Sequence, residues 1–172
     1  TVTLPASMTV LPERIFSGCG KLATVNGLEH IEKIGAGAFS ACSSLGALSM
    51  DRLTEVGEKA FYSAQITSLT APLLAKVGKD AFRLSSLNTA AFPQLTDIGS
   101  YAFAQMPALT SATLGAVSSM GECAFYGSSN LASVSFADGT TLIGDYAFYS
   151  LTKLATATLP DSVKLIGSTA FA

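Results

Sequence analysis

One histidine, three cysteines and twelve carboxylates are nearly all this chain offers for acid–base, nucleophilic or metal chemistry. His30 stands alone, so no second imidazole exists for a histidine-based metal site. Any Ser–His pair would have to use His30, and no nucleophile-elbow sequence occurs to present the serine. His30 precedes the apolar pair Ile31/Ile34, which reads as a solvated loop or strand position. GCGKL at 18–22 has the glycines and lysine of a phosphate loop, but the spacing is wrong. Leu22 stands where Ser or Thr should reach magnesium. Asp138 and Asp145 read as isolated surface carboxylates. The chain is therefore not expected to be an enzyme, and no metal or cofactor site is expected.

Composition narrows the partners. Of 172 residues, 49% are hydrophobic, enough for a real core. Only 13% are charged, about half the usual ~25%. A net charge of −2 gives no reason to expect nucleic acid or an anionic membrane. No apolar run approaches the ~18–20 residues of a membrane span, so membrane insertion is not expected of this segment. The opening residues carry no charged-then-apolar leader, so any secretion signal is expected to be removed or to lie upstream. Asn26, Asn88 and Asn130 all lack the hydroxyl two places on that glycosylation needs.

The elements that must position these residues come from an internal repeat. VGEKAF at 56–61 returns as VGKDAF at 77–82, IGSYAF at 98–103 and IGDYAF at 143–148. Aligned on its last letter, the phrase ends at Phe16, Phe39, Phe61, Phe82, Phe103, Phe125, Phe148 and Phe171. The intervals are 21 to 23 residues. From the second copy onward Gly-x-x-Ala precedes the Phe every time; the first copy, LPERIF, has Pro12 and Ile15 instead. Five or six residues after the Phe begins an apolar pattern such as Leu45/Leu48/Met50, Leu109/Ala112/Leu114, Leu131/Val134/Phe136 or Leu154/Ala157/Leu159. Its last two members alternate with polar residues, which is strand periodicity. A short apolar pair then leads back to the Gly, as at Leu53/Val56 and Leu95/Ile98.

A unit of ~22 residues cannot bury its own apolar side chains, but stacked copies bury them as one column. The expected fold is a β-rich, right-handed solenoid with strands ~4.8 Å apart. The Phe and Ala point inward, and the two variable letters between Gly and Ala face water. The Gly either turns the backbone at φ > 0 or lets coils approach closely.

The run IGAGAFSACSSLGALSM (34–50) and the run IGDYAFYSLTKLATATLP (143–160) resemble the BspA-like class of leucine-rich repeat. The resemblance covers essentially the whole chain, 1–172, as one solenoid of about seven and a half copies. Departures are small: Ser, Ala, Met or Leu often replaces the motif's Cys, and the middle copies are one residue shorter. The resemblance implies a secreted or cell-surface protein, extracellular, of the adhesin type. It further implies host matrix or plasma proteins such as fibronectin and fibrinogen as partners. The alternative is a stiff spacer or stalk within a larger surface protein.

Cys19 and Cys42 each lie three residues after an anchor Phe, so they stack in adjacent coils. At the ~5 Å of neighbouring strands they read either as small buried thiols or as a disulfide. Cys123 occupies an outward letter and is expected to be exposed.

Two surfaces are candidates for binding. The strand face carries Thr24/Asn26, Ala47/Ser49, Ser68/Thr70, Thr89/Ala91, Ser111/Thr113, Ser133/Ser135 and Thr156/Thr158, without charge. Such hydroxyl ladders support strand pairing, or bind ordered water or sugar. The second is the corner ridge, where all five tyrosines flank the anchor Phe. Tyr101, Tyr126, Tyr146 and Tyr149 fall where Lys and Arg vanish between Arg83 and Lys153. They form the candidate protein-binding ridge, or else cap the anchor rings. At the ends, TVTLPASMTVLPERIF matches ATLPDSVKLIGSTAF, so the chain begins in mid-repeat and stops one residue past an anchor. Uncapped ends lead to the expectation of a fragment of a longer protein, with end-to-end self-association.

Overall fold

The structure is a computed structural model describing all residues, 1–172. Sixteen short strands alternate between two faces of a β-solenoid of about eight turns. The front face holds β1 (Val2–Thr3), β3 (Val25–Asn26), β5 (Gly46–Ser49), β7 (Ile66–Thr70), β9 (Thr89–Phe92), β11 (Ser111–Leu114), β13 (Ser133–Phe136) and β15 (Thr156–Thr158). The back face holds β2 (Val10–Leu11), β4 (Lys33–Ile34), β6 (Glu55–Val56), β8 (Lys76–Val77), β10 (Asp97–Ile98), β12 (Ser119–Met120), β14 (Leu142–Ile143) and β16 (Leu165–Ile166). Every pairing is parallel, as it must be when each coil repeats the path of the last. Six back strands, β2 to β12, make one continuous sheet. The front sheet is broken between β3 and β5 and between β7 and β9. The one helical segment is a 3-10 turn at Leu28–His30, and no helix is long and apolar enough to cross a membrane.

The core is a cluster of 48 buried residues running from Leu4 to Ala170. Its spine is the anchor column, whose rings stack at centroid distances of 4.9 to 5.3 Å from Phe16 through to Phe171. The other two phenylalanines, Phe92 and Phe136, fill the strand side of the same core. Phe103 lies against a ring on each side, so cutting it to Ala would cost about 3–5 kcal/mol. The last coil has a neighbour on one side only. Its inward letters Ala157, Ile166 and Phe171 are therefore exposed, while every anchor from Phe16 to Phe148 is buried.

Each corner consists of consecutive tight turns. The N–H groups of the Phe and of the residues two before and two after it all donate to the next coil. Arg14, Phe16 and Gly18, for example, reach the carbonyls of Ala36, Ala38 and Ser40 at 2.8–2.9 Å. Intervening N–H groups close i→i−3 turns, as Ala38 to Gly35 and Ser40 to Gly37.

The left-handed residues of the corner are not the motif glycines. They are the second variable letter and the residue two past the Phe, for example Lys59 at φ 53° and Ser63 at φ 53°. The motif glycine serves the other purpose. A Cβ on Gly57 would lie 2.8 Å from the Ile34 carbonyl oxygen and 2.9 Å from the Ala36 nitrogen of the preceding coil. Only a residue without a side chain admits the backbone at that distance.

The position three past the Phe also has a mechanism. The Cys42 thiol is buried and donates to the Phe16 carbonyl at 3.1 Å. Ser128 fills the same position by donating to Phe103 O at 2.7 Å and accepting the Met106 N–H at 3.0 Å. Cys19, in the first coil, is exposed rather than buried, and the two thiols are not joined. Cys19 is covered by a coil on one side, whereas Cys42 lies between two coils.

Candidate protein-binding ridge

The corner turns set two outward columns side by side, one two residues before the anchor Phe and one just after it. Tyr126 and Tyr149 occupy the same letter in successive coils, so their rings stack in parallel, with centroids 5.8 Å apart and planes 2° apart. Tyr146, three residues before Tyr149, meets it edge-on at 5.9 Å and 73°. These three form one aromatic cluster. Tyr101 shares Tyr146's letter, but two coils away, with Cys123 between them, and stays outside the cluster. The expected row is thus a cluster of three plus a separate ring.

Tyr101 has its own partners. The Arg83 guanidinium lies 5.3 Å from its ring centroid. The Cys123 side chain beside it holds the Tyr101 phenol above its usual pKa; burial and the Glu122 carboxylate add to the shift, and Arg83 opposes it. Arg83 also donates to Gln105 Oε1 at 2.8 and 3.0 Å and to Asp80 Oδ1 at 3.2 Å. That network buries Asp80, a variable letter expected to face water. It also uses up the last cation before the tyrosines. Sequence reading missed this group; its signal was an Arg at the letter that holds Tyr62 one coil earlier.

Exposure differs across the ridge. Tyr146 is open to solvent at 42%, while Tyr101, Tyr126 and Tyr149 are half-buried against their neighbours. Cys123 is half-buried rather than exposed. Of the acids nearby, Glu122 is exposed, and Asp145 accepts the Ser168 N–H at 2.7 Å, so it is not isolated.

The remaining candidates are structural. His30 sits in the 3-10 turn, half-exposed and 3.5 Å from Glu29. Gly18, in GCGKL, turns a corner at φ 74°. No three His, Cys, Asp or Glu side chains converge on a metal-sized site. Most polar letters of the front strands are exposed, as expected, but only Ser135 and Thr113 join hydroxyls, at 3.4 Å, and Asn26 donates to Thr3 at 3.2 Å.

A second ordered array lies on the back sheet. The outward letters of β4, β6, β8 and β10 are Lys33, Glu55, Lys76 and Asp97, in register, with Lys33 and Glu55 paired at 2.9 Å. All four occupy the letter two before the motif Gly, so column alignment alone could have found them.

Solved structures share this architecture. A leucine-rich repeat protein of T. pallidum matches 96% of this chain and 72% of its own, at 23% identity and a TM-score of 0.65. One from Bacteroides ovatus ATCC 8483 matches 99% of this chain at 18% identity and a TM-score of 0.52. The chain spans 63% of that protein's length. At such identities the likeness speaks for the fold alone. No curated protein matches the chain. The model of the BspA type leucine rich repeat region, in 6 copies, matches residues 1–85 and 54–172. With the match reaching from one end to the other, the chain belongs to the BspA type leucine rich repeat family.

Proposed function

We propose that this chain is an extracellular, cell-surface protein-binding domain of the adhesin type, and that its partner docks on Tyr101, Tyr126, Tyr146 and Tyr149. The observation that carries the reading is the Tyr126–Tyr149–Tyr146 cluster on a rigid corner. Three amphipathic rings already held by one another lose little side-chain entropy on binding, which is what an interface centre needs. With Arg83 tied to Asp80 and Gln105, and with Glu122 exposed, the ridge favours a partner that presents Lys or Arg to the tyrosine faces. The family resemblance points to host matrix or plasma proteins such as fibronectin and fibrinogen. A second reading, a spacer, is favoured by the unbroken Phe stack, which stiffens the chain along its length.

The test is binding of fibronectin and fibrinogen to the wild type and to a folded Tyr101→Ser/Tyr126→Ser/Tyr146→Ser/Tyr149→Ser variant. Loss of at least about tenfold in affinity is expected if the cluster is a hot spot. Unchanged affinity removes the ridge, and absence of binding by either protein favours the spacer.

A further inference from the structure

We infer that the back sheet is the docking face for a second copy of this chain, set antiparallel across a two-fold axis. The outward ladder Lys33, Glu55, Lys76, Asp97 alternates in sign over four adjacent strands. An alternating ladder with an even number of charges is complementary to its own reversal. A two-fold axis along the strand direction, lying in the interface between β6 and β8, reverses coil order and keeps each column facing itself. Lys33 then meets Asp97 of the second copy, and Glu55 meets Lys76. The column just past the motif Gly obeys the same symmetry, because Glu58 and Lys79, both exposed, fall in the same two central coils. Contacts of this isologous kind occur twice per dimer.

Three further observations fix the register. The midpoint between β6 and β8 is also the centre of the continuous six-stranded sheet, β2 to β12. Its outer strands present neutral Val10 and Ser119, which face each other without conflict under the same axis. Slipping the second copy by one coil sets Lys33 on Lys76 and Glu55 on its own counterpart. That like-charge cost selects a single arrangement.

Within the chain the ladder already compensates itself, as the Lys33–Glu55 pair shows. Exposed pairs of this kind add little affinity but fix orientation and salt dependence. Six strands at ~4.8 Å give a strip about 25 Å long, small for a permanent interface. The dimer is therefore weak, concentration-dependent and weakened by salt.

Sedimentation equilibrium on the full chain tests this. In low salt the wild type should dimerise reversibly at high concentration, with a dissociation constant rising at least about tenfold by 0.5 M salt. Glu55→Lys and Lys76→Glu should each be monomeric alone, because each places like charges opposite at the dyad. An equimolar mixture should dimerise, since the lysine introduced in the first variant then meets the glutamate introduced in the second. Should either variant fail to fold, the Lys33→Glu/Glu55→Lys/Lys76→Glu/Asp97→Lys inversion replaces it, since it keeps the alternation in-chain. It should dimerise with itself and not with the wild type. A wild type that stays monomeric in low salt, a single variant that dimerises normally, a mixture of folded variants that stays monomeric, or a mixed wild-type–inversion dimer would each overturn the proposal.

Discussion

The hydroxyl of Ser128 donates to the carbonyl of Phe103 at 2.7 Å while accepting the N–H of Met106 at 3.0 Å, binding two coils together through one buried oxygen. Ser85 occupies the same letter two coils earlier, yet its hydroxyl is buried with no partner. The difference lies in the coil below. There the Ala64 N–H is already bonded to Phe61 O, at 3.0 Å, so the Ser85 hydroxyl meets no free N–H of the kind Met106 offers Ser128. Ser128→Ala should therefore cost about 1–3 kcal/mol, and Ser85→Ala should be neutral or stabilising. Urea melts of the two variants check both signs; equal losses would contradict the contrast.

The corner separates two reasons for having no side chain. Gly57→Ala pushes a Cβ into the backbone of the preceding coil and should destabilise by about 1–3 kcal/mol. Lys59, two residues on, sits at φ 53°, where a Cβ is itself strained. Lys59→Gly relieves that strain against glycine's added unfolded-state entropy, so stability should change by less than about 1 kcal/mol. Thermal melts showing Gly57→Ala to be the milder change would reverse the assignment.

Burial pushes the Cys42 thiol above its ordinary pKa; the Cys19 backbone hydrogen bond opposes the shift, and the Cys19 charge adds to it. In the unfolded chain Cys42 ionises near about 8.5, while the folded chain keeps its proton longer. This contribution to stability is full below that pH and is lost as pH rises toward the folded value. Wild type should thus lose stability relative to Cys42→Ala between pH 7 and pH 10, and a flat difference would contradict it. At pH 8 a thiol reagent should label exposed Cys19 fast and Cys42 only on unfolding.

The letters themselves carried most of the fold. Phe at a fixed letter in every copy can only mean one stacked column, because a solenoid brings identical positions to the same depth. The same logic placed Leu48, Met50, Ala112 and Val134 inside and the hydroxyls of β9 to β13 outside. Glycine was less legible. A residue that tolerates φ > 0 and one that merely lacks a Cβ are the same letter, and only the distance from Gly57 to Ile34 and Ala36 distinguishes them.

On the ridge, residue order alone sets which coils carry Tyr101, Tyr126, Tyr146 and Tyr149, and that no cation lies among them. Which rings meet is set by the folded coils. Tyr126 and Tyr149 stack because adjacent coils superpose equal letters, and Tyr101 turns to Arg83 and Cys123 because Cys123 holds the letter between it and Tyr146. Likewise the signs of Lys33, Glu55, Lys76 and Asp97 are sequence, while their alternation within one continuous sheet exists only once the coils are in register. A repeat fixes what each position is, and contact between neighbouring coils fixes what it touches.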